Sequence, residues 1–276
     1  MPGWGAAAST AREGTLVFKK LMKALGVGGP QVETVLHNPN TTPGGTITGE
    51  VTIVGGEHDS DILGVKLALK TRVEIESGDS EYTSNLEYAK LPIADAFKLD
   101  NGARYSIPFQ MPIPWEAPLT HFYGQPLRGT TVGVATELEV ARAIDATDLD
   151  PIAVHPLPAQ ERILTAFANL GFQFRNADCE KGRIWGVHQE LPFYQEIEYY
   201  PPSRYARGIK QLEVTFVSYP QSMEVVLELD KRGGLLTEGH DAFARFTVDY
   251  ATVNQTNWEQ KLDEFLLQAG RRRGIF

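Results

Sequence analysis

Residues 65–76 read VKLALKTRVEIE, and the reading of this stretch decides the fold class. Val65, Leu67, Leu69, Val73 and Ile75 are apolar and share one parity, while Lys66, Lys70, Arg72, Glu74 and Glu76 hold the other. Successive side chains of a strand point to opposite faces, so a period of two predicts a strand with one face buried and one wet. The pattern recurs outward along the chain. Val132, Val134, Leu138 and Val140 oppose Glu137 and Glu139; Leu212, Val214 and Phe216 oppose Gln211, Glu213 and Thr215. Met223, Val225, Leu227 and Leu229 follow, and Phe246, Val248 and Tyr250 close the series. Many half-wet strands between short Gly/Pro turns predict antiparallel sheets stacked as sandwiches, a mainly β protein.

The segment PNTTPGGTITGEVTIVGG, residues 39–56, carries five glycines and invites a phosphate-loop reading. Such a loop needs its glycines between a strand and a helix, so that the first N–H groups of the helix face the anion. Here Ile47, Val51 and Ile53 alternate with Thr46, Thr48, Glu50 and Thr52, so a strand follows the glycines and no helix does. There is also no Gly-Lys-Ser/Thr. The glycines are read as a turn into a strand that ends at Gly55-Gly56.

Three stretches have helical period instead. TLVFKKLMKAL places Leu16, Val17, Leu21 and Leu25 on one stripe. PAQERILTAFANLG starts at Pro158, groups Ile163, Leu164, Phe167 and Leu170, and stops at Gly171. NWEQKLDEFLLQAGRRR begins near Asn257, groups Trp258, Leu262, Phe265 and Leu266, and ends in arginines suited to a helix C-terminus. Between the two runs of strands, IDATDLDPIAVHPLP has three Asp, three Pro and no sustained apolar period. A boundary is expected at about Asp150, giving a basic N-terminal segment (1–30), two β domains (31–150 and 151–255) and a C-terminal helix with a basic tail (256–276).

A net charge of −9 argues against a general nucleic-acid binder. Cys179 is the single cysteine, so no intrachain disulfide is possible and a reducing, cytoplasmic setting is expected. Cys179, His188 and Glu190 match no common zinc spacing, and nothing local marks Cys179 as an activated nucleophile. Asp145, Asp148 and Asp150 could hold calcium, but they lack an EF-hand register and suit turns equally well. Glu196 and Glu198 in FYQEIEYYP lie on one strand face, as a carboxylate pair of a carbohydrate-active enzyme would. The plainer reading makes them solvent-facing, with Phe193, Ile197 and Tyr199 turned inward. Lys19, Lys20 and Lys23 give the first helix a basic face, which could meet a partner or an acidic membrane surface. No catalytic, cofactor-binding or metal-binding set is assigned.

The order of these features resembles a known family. FKKLMKALGVGGPQVETVLHNPNTTPGGTITGEVTIVGG is similar to the opening of the bacterial sporulation-control family (sporulation stage-zero protein M). YSIPFQMPIPWEAPLTHFYG with TVGVATELEV, then DATDLDPIAVHPLP, LPFYQEIEYYPP, IKQLEVTFVSYP and MEVVLELDKRGG, continue the likeness over about residues 16–255. The resemblance implies an arrestin-like fold of two tandem immunoglobulin-like sandwiches. It further implies a non-enzymatic regulator or scaffold of sporulation or a related developmental or stress response, working without cofactor through contacts with other proteins.

Overall fold

The computed structural model describes residues 28–77, 80–231 and 242–271. The expected first helix, with Lys19, Lys20 and Lys23, lies outside them.

The Pro-Gly-Gly segment is a turn: Gly45 N–H donates to Thr42 O and Gly45 O accepts from Ile113 N. Gly44 sits at φ +72 with the Trp115 ring 2.6 Å from where a Cβ would stand. Left-handed backbone and a ring packed on it both require glycine. The turn feeds β3 (Thr46–Val54), which lies between β1 (Gln31–Leu36) and β7 (Arg104–Pro112) in a three-stranded sheet. β7 is an edge, which is why Pro108 and Pro112 are tolerated in it.

A second, larger sheet has β4 (Ser60–Ser77) at its centre, paired with β5 (Ser80–Ala94), β6 (Phe97–Leu99) and β10 (Val132–Val140). It continues through β11 (Ala146–Val154) to β2 (Asn40–Thr41), while β8 (His121–Phe122) and β9 (Gln125–Pro126) form a separate ribbon. The parity read from the sequence holds. Ile47, Val51 and Ile53 of one sheet and Val65, Leu67 and Leu69 of the other are buried in one hydrophobic cluster.

Two expectations change here. IDATDLDPIAVHPLP, which has no sustained apolar period, nevertheless holds a strand: Ala146–Val154 pairs with β10 from Val132↔Ile152 to Leu138↔Ala146. Its inward parity is Ala146, Asp148, Asp150, Ile152 and Val154, so two aspartates interrupt the apolar period. β11 ends at Val154, and His155-Pro156-Leu157 connect it to the helix that opens at Pro158.

The second half, expected as another sandwich, is among the described residues a single antiparallel meander. Its strands are β12 (Gln173–Lys181), β13 (Phe193–Tyr200), β14 (Ile209–Ser218), β15 (Ser222–Lys231) and β16 (Ala242–Asp249). Two helices close its apolar face in place of a second sheet. α1 (Pro158–Asn169) stacks Phe167 on Tyr199 at 5.9 Å, and α2 (Trp258–Arg271) stacks Trp258 on Phe246 at 5.6 Å. An amphipathic helix buries a stripe against a sheet as well as a second sheet does. Arg162 grips Glu259 with two hydrogen bonds of 2.9 and 2.7 Å and ties the helices together. That grip, with Asn169, holds the Glu259 carboxyl down at about 2.

The two halves meet tightly. β12 touches β4 through one parallel residue pair, Glu180↔Glu74, which makes the larger sheet continuous. Side chains do the rest. Phe193 meets Tyr88 edge to face at 5.2 Å. The Gln195 amide both accepts from Leu119 N and donates to Leu119 O, each at 2.8 Å. Glu116 accepts from the N–H groups of Glu190 and Leu191. At Gly129, φ is +103 and a Cβ would stand 2.0 Å from Ala177 O, so only glycine lets these backbones approach.

Candidate functional site

The face of the meander that the helices leave uncovered carries acids on every strand from β12 to β15. Cross-strand pairing sets them side by side: Asp178↔Glu196, Glu198↔Glu213 and Glu213↔Glu228. Directly opposed side chains on one face have Cβ atoms about 4.5–5.5 Å apart, so like charges there repel. The carboxylate oxygens of Asp178, Glu180 and Glu196 come within 4.8 Å of one another, as do those of Glu196, Glu213 and Glu228. Either set could hold a hard divalent cation.

The face is only partly screened from water: Glu180, Glu196, Glu213 and Glu228 are half-buried. Residues 182–192 between β12 and β13 fold back over it, and Gln189, which is buried, pins them there. Its Nε2 lies within hydrogen-bonding distance of Gly182 O, Leu191 O and Phe193 O, and its Oε1 accepts from Ile184 N. Arg183 donates to Gln189 O, and Arg245 donates to Gly186 O from the sheet side. Loop and sheet enclose a cleft of about 550 Å³. Glu196, Glu213 and Glu228 line it with Tyr194, Ile184 and Val226, and Trp185 stands on its rim, 94% exposed.

This corrects the solvent-facing reading of Glu196 and Glu198. Burial, then the charges of Glu213, Asp178, Glu180 and Glu228, push Glu196 up to about 9. Asp178 is 8% exposed and is raised in the same direction by burial and by Glu198. Its Oδ1 has no hydrogen-bond partner among the described residues. Glu198 is 9% exposed and committed elsewhere: it pairs with Arg175 at 2.6 Å and accepts from Gln211 at 3.0 Å. Only Glu196 of the two lines the cleft, so they do not face one substrate as a glycosidase pair would.

The other candidates do not gather into one site, although Asp148 and Asp150 stand close enough to interact. Cys179 is buried on the opposite face of β12, and burial pushes its thiol up to about 12, which leaves an inert thiol. His188 and Glu190 are exposed on the loop; the His188 carbonyl accepts from the Tyr219 hydroxyl. Asp145 accepts from Val140 N, and Asp148 accepts from Thr34 N and so joins β11 to β1. Asp150 is pushed up to about 7 by burial and by Asp148. The converging carboxylates of the described residues lie instead on β12–β15.

Asp178, Glu180, Glu213, Glu228 and Trp185 were not singled out from the sequence. The signal available was the recurrence of acids two apart, DCE at 178–180 and EIE at 196–198. Their convergence depends on register between strands, which spacing along one strand does not contain.

No helix of the described residues is long and apolar enough to cross a membrane. The model of the family described as SpoOM protein matches residues 18–233. The sporulation-control protein spo0M of Bacillus subtilis (strain 168) is 32% identical over 216 residues, 78% of this chain and 81% of that protein. The crystal structure of Spo0M from Bacillus subtilis superposes with a TM-score of 0.76 at 28% identity, covering 88% of this chain and 100% of that one. The putative ApaA protein of Bordetella pertussis reaches a TM-score of 0.21 at 10% identity over 47% of this chain and 98% of that one, too low to bear on the fold.

Proposed function

Because the chain belongs to the SpoOM protein family, we propose that it is a regulator of sporulation or of a related developmental or stress response. It acts in the cytoplasm as a scaffold, through contacts with other proteins and without catalysis. The observation that carries this reading is the likeness in sequence and fold, over most of the chain, to a protein named for sporulation control. The commitment of Glu198 to Arg175 and Gln211, away from the cleft, supports the non-catalytic part. We also read the chain as two units, an arrestin-type sandwich up to Val154 and a sheet-and-helix unit from Pro158. The facing sheets of the first half and the packing of α1 and α2 on the meander of the second support that division.

Deleting the gene in its own organism tests the reading, with in-cell cross-linking of the tagged chain alongside. The expected result is a shift in the timing or yield of the developmental or stress response, restored by the intact chain, and specific proteins cross-linked to it. A deletion strain indistinguishable from its parent, or a chain that cross-links to nothing above background, would overturn it.

A further inference from the structure

We propose that His121 and His155 form an acid-released latch: with both rings neutral they hold the β8–β9 ribbon against the connection between the halves, and their protonation sets the ribbon free. Its operation does not depend on the regulatory role above.

The ribbon cannot stand by itself. β8 and β9 share two residue pairs, His121↔Pro126 and Phe122↔Gln125, in a two-stranded sheet of their own. The turn residues Tyr123 and Gly124 are both at positive φ, +49 and +70, as a tight hairpin requires. An isolated hairpin is marginally stable at best in water, so contacts outside it decide whether it stays in place. At its root Thr120 N donates to Val154 O at 2.9 Å, and Thr120 Oγ1 accepts from Val154 N at 2.8 Å. At its tip the hydroxyls of Tyr123 and of Thr165 on α1 lie 2.6 Å apart. Between root and tip, the His121 ring stands 5.2 Å from the ring of His155.

His155 opens the connection to α1 and is itself tied to β2. Its N–H donates to Thr41 O at 2.8 Å, and its Nε2 lies 3.0 Å from Asn40 Oδ1. The pair thus joins the ribbon, β2 and the connection. This arrangement suits neutral rings. Thr120 Oγ1 already accepts from Val154 N, so its own proton is left to point at His121 Nδ1, 2.9 Å away. A protonated ring carries a hydrogen on that nitrogen and cannot accept it. Two positive rings at this spacing also repel. No carboxylate offsets them. The titratable groups of the elements around His121 are Tyr123 at the turn, Asp148 and Asp150 on β11, and Glu161 and Arg162 on α1, while β2 has none. None of these moves the titration of His121: burial first, and His155 second, push it below the ordinary 6.5. Below that value an opened ribbon takes up the proton that the closed one resists, so acid favours opening.

Hydrogen exchange of the full chain tests the latch, read by mass spectrometry on peptides covering 119–127 and 150–157 and corrected for the intrinsic pH dependence of exchange. Protection there should fall about threefold or more between about pH 8 and about pH 5, while β14 and β15 keep theirs. His121→Phe, which keeps a ring against His155 but no charge, should abolish the fall. His155→Gln, which keeps a donor for Asn40, should do the same, and decides the matter if the first variant folds poorly. Equal protection of the ribbon in acid and at neutrality, a loss shared equally by β14 and β15, or a fall retained in both variants would overturn the proposal.

Discussion

Phe193→Ala is expected to lower the unfolding free energy by about 3–5 kcal/mol, the usual cost of emptying a buried phenylalanine site. Phe193 is 1% exposed at the start of β13, and its ring packs edge to face on Tyr88 of β5. It therefore bridges the sheet of the second half to the sheet of the first. The size of the loss depends on whether Tyr88 can follow into the void, which its own burial opposes. The Tyr88 hydroxyl has no hydrogen-bond partner among the described residues and is buried. An orphaned buried hydroxyl costs about 1–3 kcal/mol, so Tyr88→Phe should be neutral or stabilising while Phe193→Ala is severe. Denaturant unfolding followed by tryptophan emission and by circular dichroism measures both. A loss below about 1 kcal/mol for Phe193→Ala would mean the two halves are not joined through this contact.

Glu196→Gln is expected to stabilise the protein at neutral pH, by about 1–3 kcal/mol, from the linkage between a shifted carboxyl and folding. The native carboxyl titrates at about 9, against an ordinary value of 4.5. Below the ordinary value it is protonated folded and unfolded, and costs nothing. As pH rises towards 9 the unfolded chain ionises while the native carboxyl must keep its proton, so stability falls across that window and then levels. Glutamine removes the slope. The facing groups, Asp178, Glu180, Glu213 and Glu228 with Tyr194 and the rim residues Arg183 and Arg245, stay in place, so the variant isolates one carboxyl.

The gain should be near zero in acid and grow through neutrality, as read from melts over that range. Glu259 works in the opposite direction: its carboxyl is held low, so its contribution is present above the ordinary carboxylate range and fades as pH falls towards 2. The acid limb of the stability profile should therefore be unchanged in Glu196→Gln. A gain that is equal at every pH would assign the effect to packing, and no gain at all would put Glu196 in water.

Strand identity was legible wherever one parity of a segment is apolar. β3, β4, β10, β14 and β15 announce themselves because burial selects every second residue and water selects the others. α1 is equally plain, with Pro158 at its first turn and Gly171 just past its end at φ +91. Where the parity failed, so did the reading. β11 shows no strand period in the sequence because its inward positions 148 and 150 hold aspartates, one of which serves β1 by accepting from Thr34 N. The apolar faces of β12–β16 say that something covers them, but not whether it is a sheet or a pair of helices.

The sequence by itself determined a mainly β chain, the parity of its main strands, the helix that opens the second half, and the family likeness carried by its ordered motifs. Only the tertiary structure decided what the acids mean. Glu196 and Glu198 are neighbours on one strand face in any fold, and their spacing says nothing of what stands opposite. Register between strands brings Asp178, Glu213 and Glu228 to Glu196, and the three carbonyl contacts of Gln189 fold residues 182–192 over them. The physical reason is one of range. Periodicity records whether a residue faces water or core through its own strand, whereas a cleft is made by side chains from four strands and a loop, set by packing between segments far apart in the chain.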